Sequence, residues 1–156
     1  MRVYLDVCCY NRPYDDHSRF KVAMEAQAKL YIQNLIRKGR LDLVGSFVLN
    51  FECSRNPFEM RRKAIFKFIQ ENMKVYVGPE CGQILWPKIT QIMRAGIKEK
   101  DAIHLASAIY AESEYFISTD IRLLKYKTDE IRLVNPIEFI LMEGMGNDDE
   151  YDRDYE

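Results

Sequence analysis

Two rhythms of apolar and polar residues run along this chain. The stretch Arg2-Val3-Tyr4-Leu5-Asp6 is short, mainly apolar and rich in strand formers, which predicts a β-strand, followed by a loop containing Asn11-Arg12-Pro13. From about residue 16 to 38, Phe20, Met24, Ala28, Tyr31 and Leu35 recur at intervals of three and four, the mark of an amphipathic helix, and Gly39 stops it. Residues 41–45 predict a second strand, and Ser46 is placed to cap a helix from Phe47 that Asn56-Pro57 ends. A helix over about 58–72, a strand over 74–77 and a helix over about 82–94 follow, with Gly78-Pro79 between the last two. Ala102, Leu105, Ala106, Ile109 and Tyr110 share one face of a helix starting near Asp101, so that helix should pack on something flat. Residues 115–118 and 131–134 read as strands, and Pro136 opens a closing helix over 137–142. Strands alternating with helices predict an α/β fold with a central parallel sheet covered on both faces.

Composition supports one core. A chain of 156 residues, 47% hydrophobic and 12% aromatic, can bury a single domain's interior, and neither an internal repeat nor a second domain is visible. No run of about 18 uncharged apolar residues occurs, and the first residues lack a secretory segment, so a soluble cytoplasmic protein without membrane attachment is expected. Cys8, Cys9, Cys53 and Cys81 form no C-x-x-C pair and have no histidine at zinc spacing; they are expected to be small buried apolar residues. The net charge of −1 conceals a division. Residues 143–156 (EGMGNDDEYDRDYE) hold seven acids and one arginine, which leaves 22 basic and 17 acidic residues, or +5, in 1–142. The expected organisation is a mildly basic folded domain over 1–142 and an acidic, disordered tail over 143–156.

The chemistry concentrates in four carboxylates. Asp6 ends the first predicted strand, Asp120 follows the strand over 115–118, Asp101 starts a helix, and Glu52 lies in the helix after the second strand. In an open parallel sheet, ligands bind beyond the carboxyl ends of the strands. Three of the acids are therefore expected at one edge, with Glu52 reaching it from a neighbouring helix. Clustered carboxylates repel one another unless a cation joins them, and a hard divalent ion, Mg²⁺ or Mn²⁺, is the economical partner. Each acid also has a plainer reading: Asp101 as a helix cap, Asp6 and Asp120 as turn residues, Glu52 as an exposed helix residue. His104 is expected to pack against a neighbour, and Arg61 to Lys63 to form a solvated face.

The segments Tyr4-Leu5-Asp6, Ser46 to Glu52, Lys100 to Ala108 and Tyr115 to Asp120 resemble, in order, the four acidic motifs of PIN-domain ribonucleases of the VapC-like toxin type. Asn135-Pro136-Ile137-Glu138-Phe139 resembles the end of that domain, so the likeness spans the chain to about residue 142. It implies a three-layer α/β/α sandwich, metal-dependent cleavage of RNA, and a toxin role with a protein antitoxin and a homodimeric state. On this resemblance Asp6, Glu52, Asp101 and Asp120 hold one or two Mg²⁺ or Mn²⁺ ions. Lys98, Lys100, Arg122 and Lys125, near the same edge, would attract the RNA backbone with little regard for sequence. Two positions depart from the family: Cys8 stands where many members have asparagine, and Arg122 where many have a further acid. The alternative of another class is a catalytically inactive PIN-like module that binds RNA or protein. A phosphoaspartate receiver lacks its paired acids here, and Asp6-Val7-Cys8 fails the D-x-D of haloacid-dehalogenase-type phosphatases.

Overall fold

A computed structural model of the chain describes residues 1–144. Five parallel strands, β1 (Arg2–Leu5), β2 (Asp42–Ser46), β3 (Met73–Val77), β4 (Tyr115–Ile117) and β5 (Arg132–Val134), form one sheet in the order β3-β2-β1-β4-β5. The helices are α1 (Val7–Asn11), α2 (Phe20–Arg37), α3 (Phe47–Ser54), α4 (Glu59–Asn72), α5 (Gly82–Arg94), α6 (Glu99–Tyr110), α7 (Ile121–Leu124) and α8 (Pro136–Met142). The chain leaves β1 toward β2 and β3, then returns to the other side of β1 for β4 and β5, so the strand order reverses between β1 and β4.

Alternation along the strands divides the core in two. Val3 and Leu5, Leu43, Tyr115 and Ile117 enter one buried cluster, with Tyr10 of α1, Ile32 and Ile36 of α2, Phe68 of α4 and Phe139 of α8. Tyr4, Val44 and Phe116, their neighbours in the chain, enter the other, with Leu85 and Ile92 of α5 and Leu105 of α6. Helices thus cover both faces, and the fold is a three-layer α/β/α sandwich. Register places Tyr4 beside Val44 on one side and Phe116 on the other.

Several boundaries differ from the sequence reading. The expected loop after β1 is a short helix, α1, and a 3₁₀ turn over Arg12–Tyr14; five residues are too few for a periodic signal, and Asp6 caps them by accepting from Val7 N–H at 2.8 Å. Helix α2 starts at Phe20 because Asp16 is engaged in a turn with Ser18, accepting from its N–H and its hydroxyl at 2.9 Å each. Helix α6 begins at Glu99, with Lys98 at its cap, so Asp101 lies inside the first turn and is not the cap residue. Gly39 and Gly96, at φ 74° and 93°, take the left-handed conformation that ends α2 and α5. The expected tail falls almost wholly on residues 145–156, outside the described residues. No helix among the described residues is long and apolar enough to cross a membrane.

Candidate active site

The reversal of strand order puts the ends of β1 and β4 side by side; Asp6 directly follows β1, and Asp120 lies three residues beyond β4. Asp6 N–H still donates to Ile117 O at 2.9 Å, continuing the sheet by one bond before the chain turns into α1. Asp120 caps α7, accepting from Arg122 N–H at 3.0 Å. Between the two acids stands Ser118. Its hydroxyl donates to Asp6 Oδ2 at 2.8 Å and accepts from Asp120 N–H at 3.0 Å, so one buried side chain fixes both. Cys8 adds a weaker bond, its thiol donating to Asp6 Oδ2 at 3.4 Å, and accepts from Thr119 N–H at 3.3 Å.

Glu52 and Asp101 come from the helices that flank β1 and β4. Ser46, at the end of β2, caps α3 by accepting from Leu49 N–H at 3.1 Å, which sets the helix that carries Glu52. Glu52 Oε1 lies 2.9 Å from His104 Nε2, and His104 Nδ1 lies 2.6 Å from the Tyr4 hydroxyl, itself 2.6 Å from Ser46 Oγ. With a neutral imidazole, Nε2 carries the proton toward the Glu52 carboxylate, Nδ1 accepts from Tyr4, and Tyr4 accepts from Ser46. A chain of hydrogen bonds, fully buried at Ser46, Tyr4 and His104, therefore runs from the α3 cap through β1 and α6 to the partly exposed Glu52. His104 packs as expected, but it also orients a site carboxylate.

Asp6, Glu52, Asp101 and Asp120 line a single pocket of about 420 Å³ together with Cys8 and Arg12. The electrostatics register this assembly. Burial, then the charges of Asp6, Asp120 and Glu52, raise the Asp101 carboxyl above its ordinary value. Glu52 moves the other way, held low first by the hydrogen bond from His104 and then by Lys100's charge, against the opposing push of burial. Among the described residues, no hydrogen bond or ion pair reaches the Asp101 carboxylate. Cys8, expected as a buried apolar residue, is only half-buried and lines this pocket; Cys9, Ser118 and Thr119 hold its thiol below the usual range against the opposing push of burial.

The donor set, four carboxylates around one pocket, is that of a hard divalent cation. The side chains as they stand are partly turned to protein partners, and among the described residues no three of them form a ready ligand group. Lys98, Lys100, Arg122 and Lys125 are all exposed, and none lines the pocket. The cation that does is Arg12, whose guanidinium meets Asp15 at 3.0 Å. Its signal in the sequence was its place six residues after Asp6; the partners of Ser118 and His104 lie 112 and 100 residues away and left no local trace.

Neither the family models nor the curated protein sequences gave a match to this chain. Solved structures did. VapBC2 from Rickettsia felis, crystallised with a DNA fragment from the promoter, superposes with a TM-score of 0.54 at 13% identity, over 86% of this chain and 98% of that one. The fold is PIN-like. FitAcB from Neisseria gonorrhoeae gives a TM-score of 0.50 at 10% identity over the same shares of the two chains. At such identities the PIN-like likeness speaks to architecture, and the chemistry rests on this chain's own residues.

Proposed function

We propose that the protein is a metal-dependent endoribonuclease that hydrolyses RNA phosphodiester bonds and is the toxin of a toxin–antitoxin pair. The observation that carries the nuclease reading is the convergence of Asp6, Glu52, Asp101 and Asp120, from four separate parts of the chain, on one pocket at the switch point of a parallel sheet. The toxin role, a protein antitoxin and a homodimeric state come from the family resemblance, and the likeness to VapBC2 and FitAcB supports the fold on which that resemblance rests.

The four carboxylates would hold Mg²⁺ or Mn²⁺, which supplies a Lewis acid that lowers the pKa of water and offsets charge on the phosphate. The protein's part is positional. Ser118 keeps Asp6 and Asp120 in register, and His104 turns Glu52 toward a fixed direction. Asp101, which no hydrogen bond or ion pair reaches among the described residues and which is already disposed to hold a proton, is the carboxylate with most to gain from a cation. Among the described residues the pocket holds no serine or threonine paired with a base, and the Cys8 thiol is turned to Asp6, which suits direct attack by water.

A second reading, a catalytically inactive PIN-like module that binds RNA or protein, is favoured by one observation: no three of the acids form a ready ligand group among the described residues. Cleavage decides between them. The purified protein is expected to cut RNA in Mg²⁺ or Mn²⁺ and to stop in EDTA. Cleavage that survives rigorous chelation would point to a contaminant or to another mechanism, and no cleavage with any divalent ion would select the inactive module.

A further inference from the structure

Beside the carboxylate pocket lies a second hollow of about 360 Å³ between the end of α3 and the start of α4. The two share Asn11, Asp15 and Glu52 as lining residues, so they are continuous. What distinguishes the second is its rim. Phe58, 55% exposed, lines it, and Tyr14 and Phe51, 41% and 52% exposed, stand against two of its lining cations, Arg61 and Arg55. Each carries a cation: Arg61 lies 4.1 Å from the Phe58 ring centroid and 5.1 Å from that of Tyr14, Arg55 lies 5.5 Å from Phe51, and Lys100 reaches the same ring at 5.9 Å. None of these three cations pairs with a carboxylate among the described residues. Among its described lining residues the carboxylate besides Glu52 is Asp15, which Arg12 meets at 3.0 Å.

The rim is also braced. Asn56 Nδ2 donates to Asn11 Oδ1 at 3.1 Å, Asn56 Oδ1 accepts from Phe58 N–H at 3.0 Å, and Arg62 donates to Asn56 O at 2.9 Å. Phe58 is therefore presented to solvent by an anchored backbone. Exposed rings interleaved with unpaired cations match a single nucleic-acid strand, because a base stacks on an aromatic face whatever its sequence while cations follow the phosphates. A duplex hides its base faces and cannot use such a surface.

We propose that this hollow is a subsite for an unpaired nucleotide next to the scissile phosphate, its base stacking on Phe58 and its phosphates drawn by Arg55 and Arg61. The proposal rests on the nuclease reading and narrows it, since the strand entering the carboxylate pocket must be single at that point. Arg61 thereby changes from a solvated residue to one that supports a stacking platform.

The test measures binding apart from cleavage. The full chain in EDTA at low ionic strength is titrated into a fluorescent single-stranded oligopyrimidine RNA, the same RNA as a duplex, and an abasic strand of equal length. Phe58→Leu keeps the apolar bulk and removes the aromatic face; Phe58→Trp keeps the face. Phe58→Leu is expected to bind the single strand from about fivefold to about 150-fold more weakly, the range of one lost base–aromatic stack, while Phe58→Trp stays close to wild type. The abasic strand should bind both forms alike. Equal binding of the single strand by wild type and Phe58→Leu, both with unchanged melting temperatures, would overturn the subsite and leave this rim to a protein partner. Cleavage is read separately in Mn²⁺: binding that needs Phe58 without any cleavage removes the nuclease and keeps the subsite, whereas cleavage at unchanged KM in Phe58→Leu does the reverse.

Discussion

Asp101 and Glu52 face the same pocket and titrate in opposite senses. The folded-state pKa of Asp101 lies above its ordinary 3.8, so the folded chain holds this proton more tightly than the unfolded one. The stability it lends is complete below that ordinary value and is lost as pH rises through the folded value, leaving a repulsive charge at neutral pH. Asp101→Asn removes that charge with little change of shape. Its activity should collapse, while its metal-free melting temperature near neutral pH equals or exceeds wild type; in Mn²⁺ only the wild type should gain stability. Retained cleavage would sink the assignment, and a collapsed metal-free melting temperature would mark a folding defect. The plainer reading of Asp101 as a cap has no support, because the cap position belongs to Lys98 and asparagine has no capping role to inherit. Acids that leave strand ends are legible from sequence because their positions follow from the strands themselves. Cys8, Ser118 and His104 are not, since what each does depends on a residue brought to it by the sheet.

At the scale of elements, α2 buries, beside rings of α1 and α4, a group that its apolar spacing does not mark. Lys29 falls among the apolar positions of α2, yet it is a buried lysine, bonded to Gln33, its ammonium 5.3 Å from the Tyr10 ring centroid and 5.7 Å from that of Phe68. Burial lowers its pKa to about 8 from 10.5. The depressed value means that the folded state loses this proton first, so stability rises with pH between about 8 and 10.5 and is lost again as pH falls through 8. Measured against Lys29→Met by denaturant titration, the wild type should gain on the order of 3 kcal/mol across that window. A gap between the two proteins that stays flat with pH would show the ammonium to be better solvated than its burial indicates. Long elements were legible because their periodicity survives many turns; α5 was read to its observed bounds. The five-residue α1 and four-residue α7 were not, because their caps, Asp6 and Asp120, are also plausible turn residues and short helices leave no period to count.

Across the whole molecule, charge separates along the chain. Truncation after Gly144 removes six acids and one arginine, shifting the formal charge from −1 to +4. The shortened protein should bind RNA more tightly than the full chain at low salt, and the difference should shrink as salt rises toward about 1 M, where the screening length is near 3 Å. An unchanged dissociation constant at low salt would leave the acidic segment as an aid to solubility. The α/β class and the sheet's coverage on both faces followed from the alternation of elements, whereas the strand order did not, because nothing in a strand's own residues names its neighbours.

That strand order also sets a timetable. Of the five strands, the central β1 is made before the others, and one of its edges stays bare until β4 arrives to pair Tyr115 with Val3. Ser118, which secures Asp6 from 112 residues away, and Asp120 are made later still. Until residue 120 has been made, then, the nascent polypeptide cannot close the pocket that the four carboxylates share.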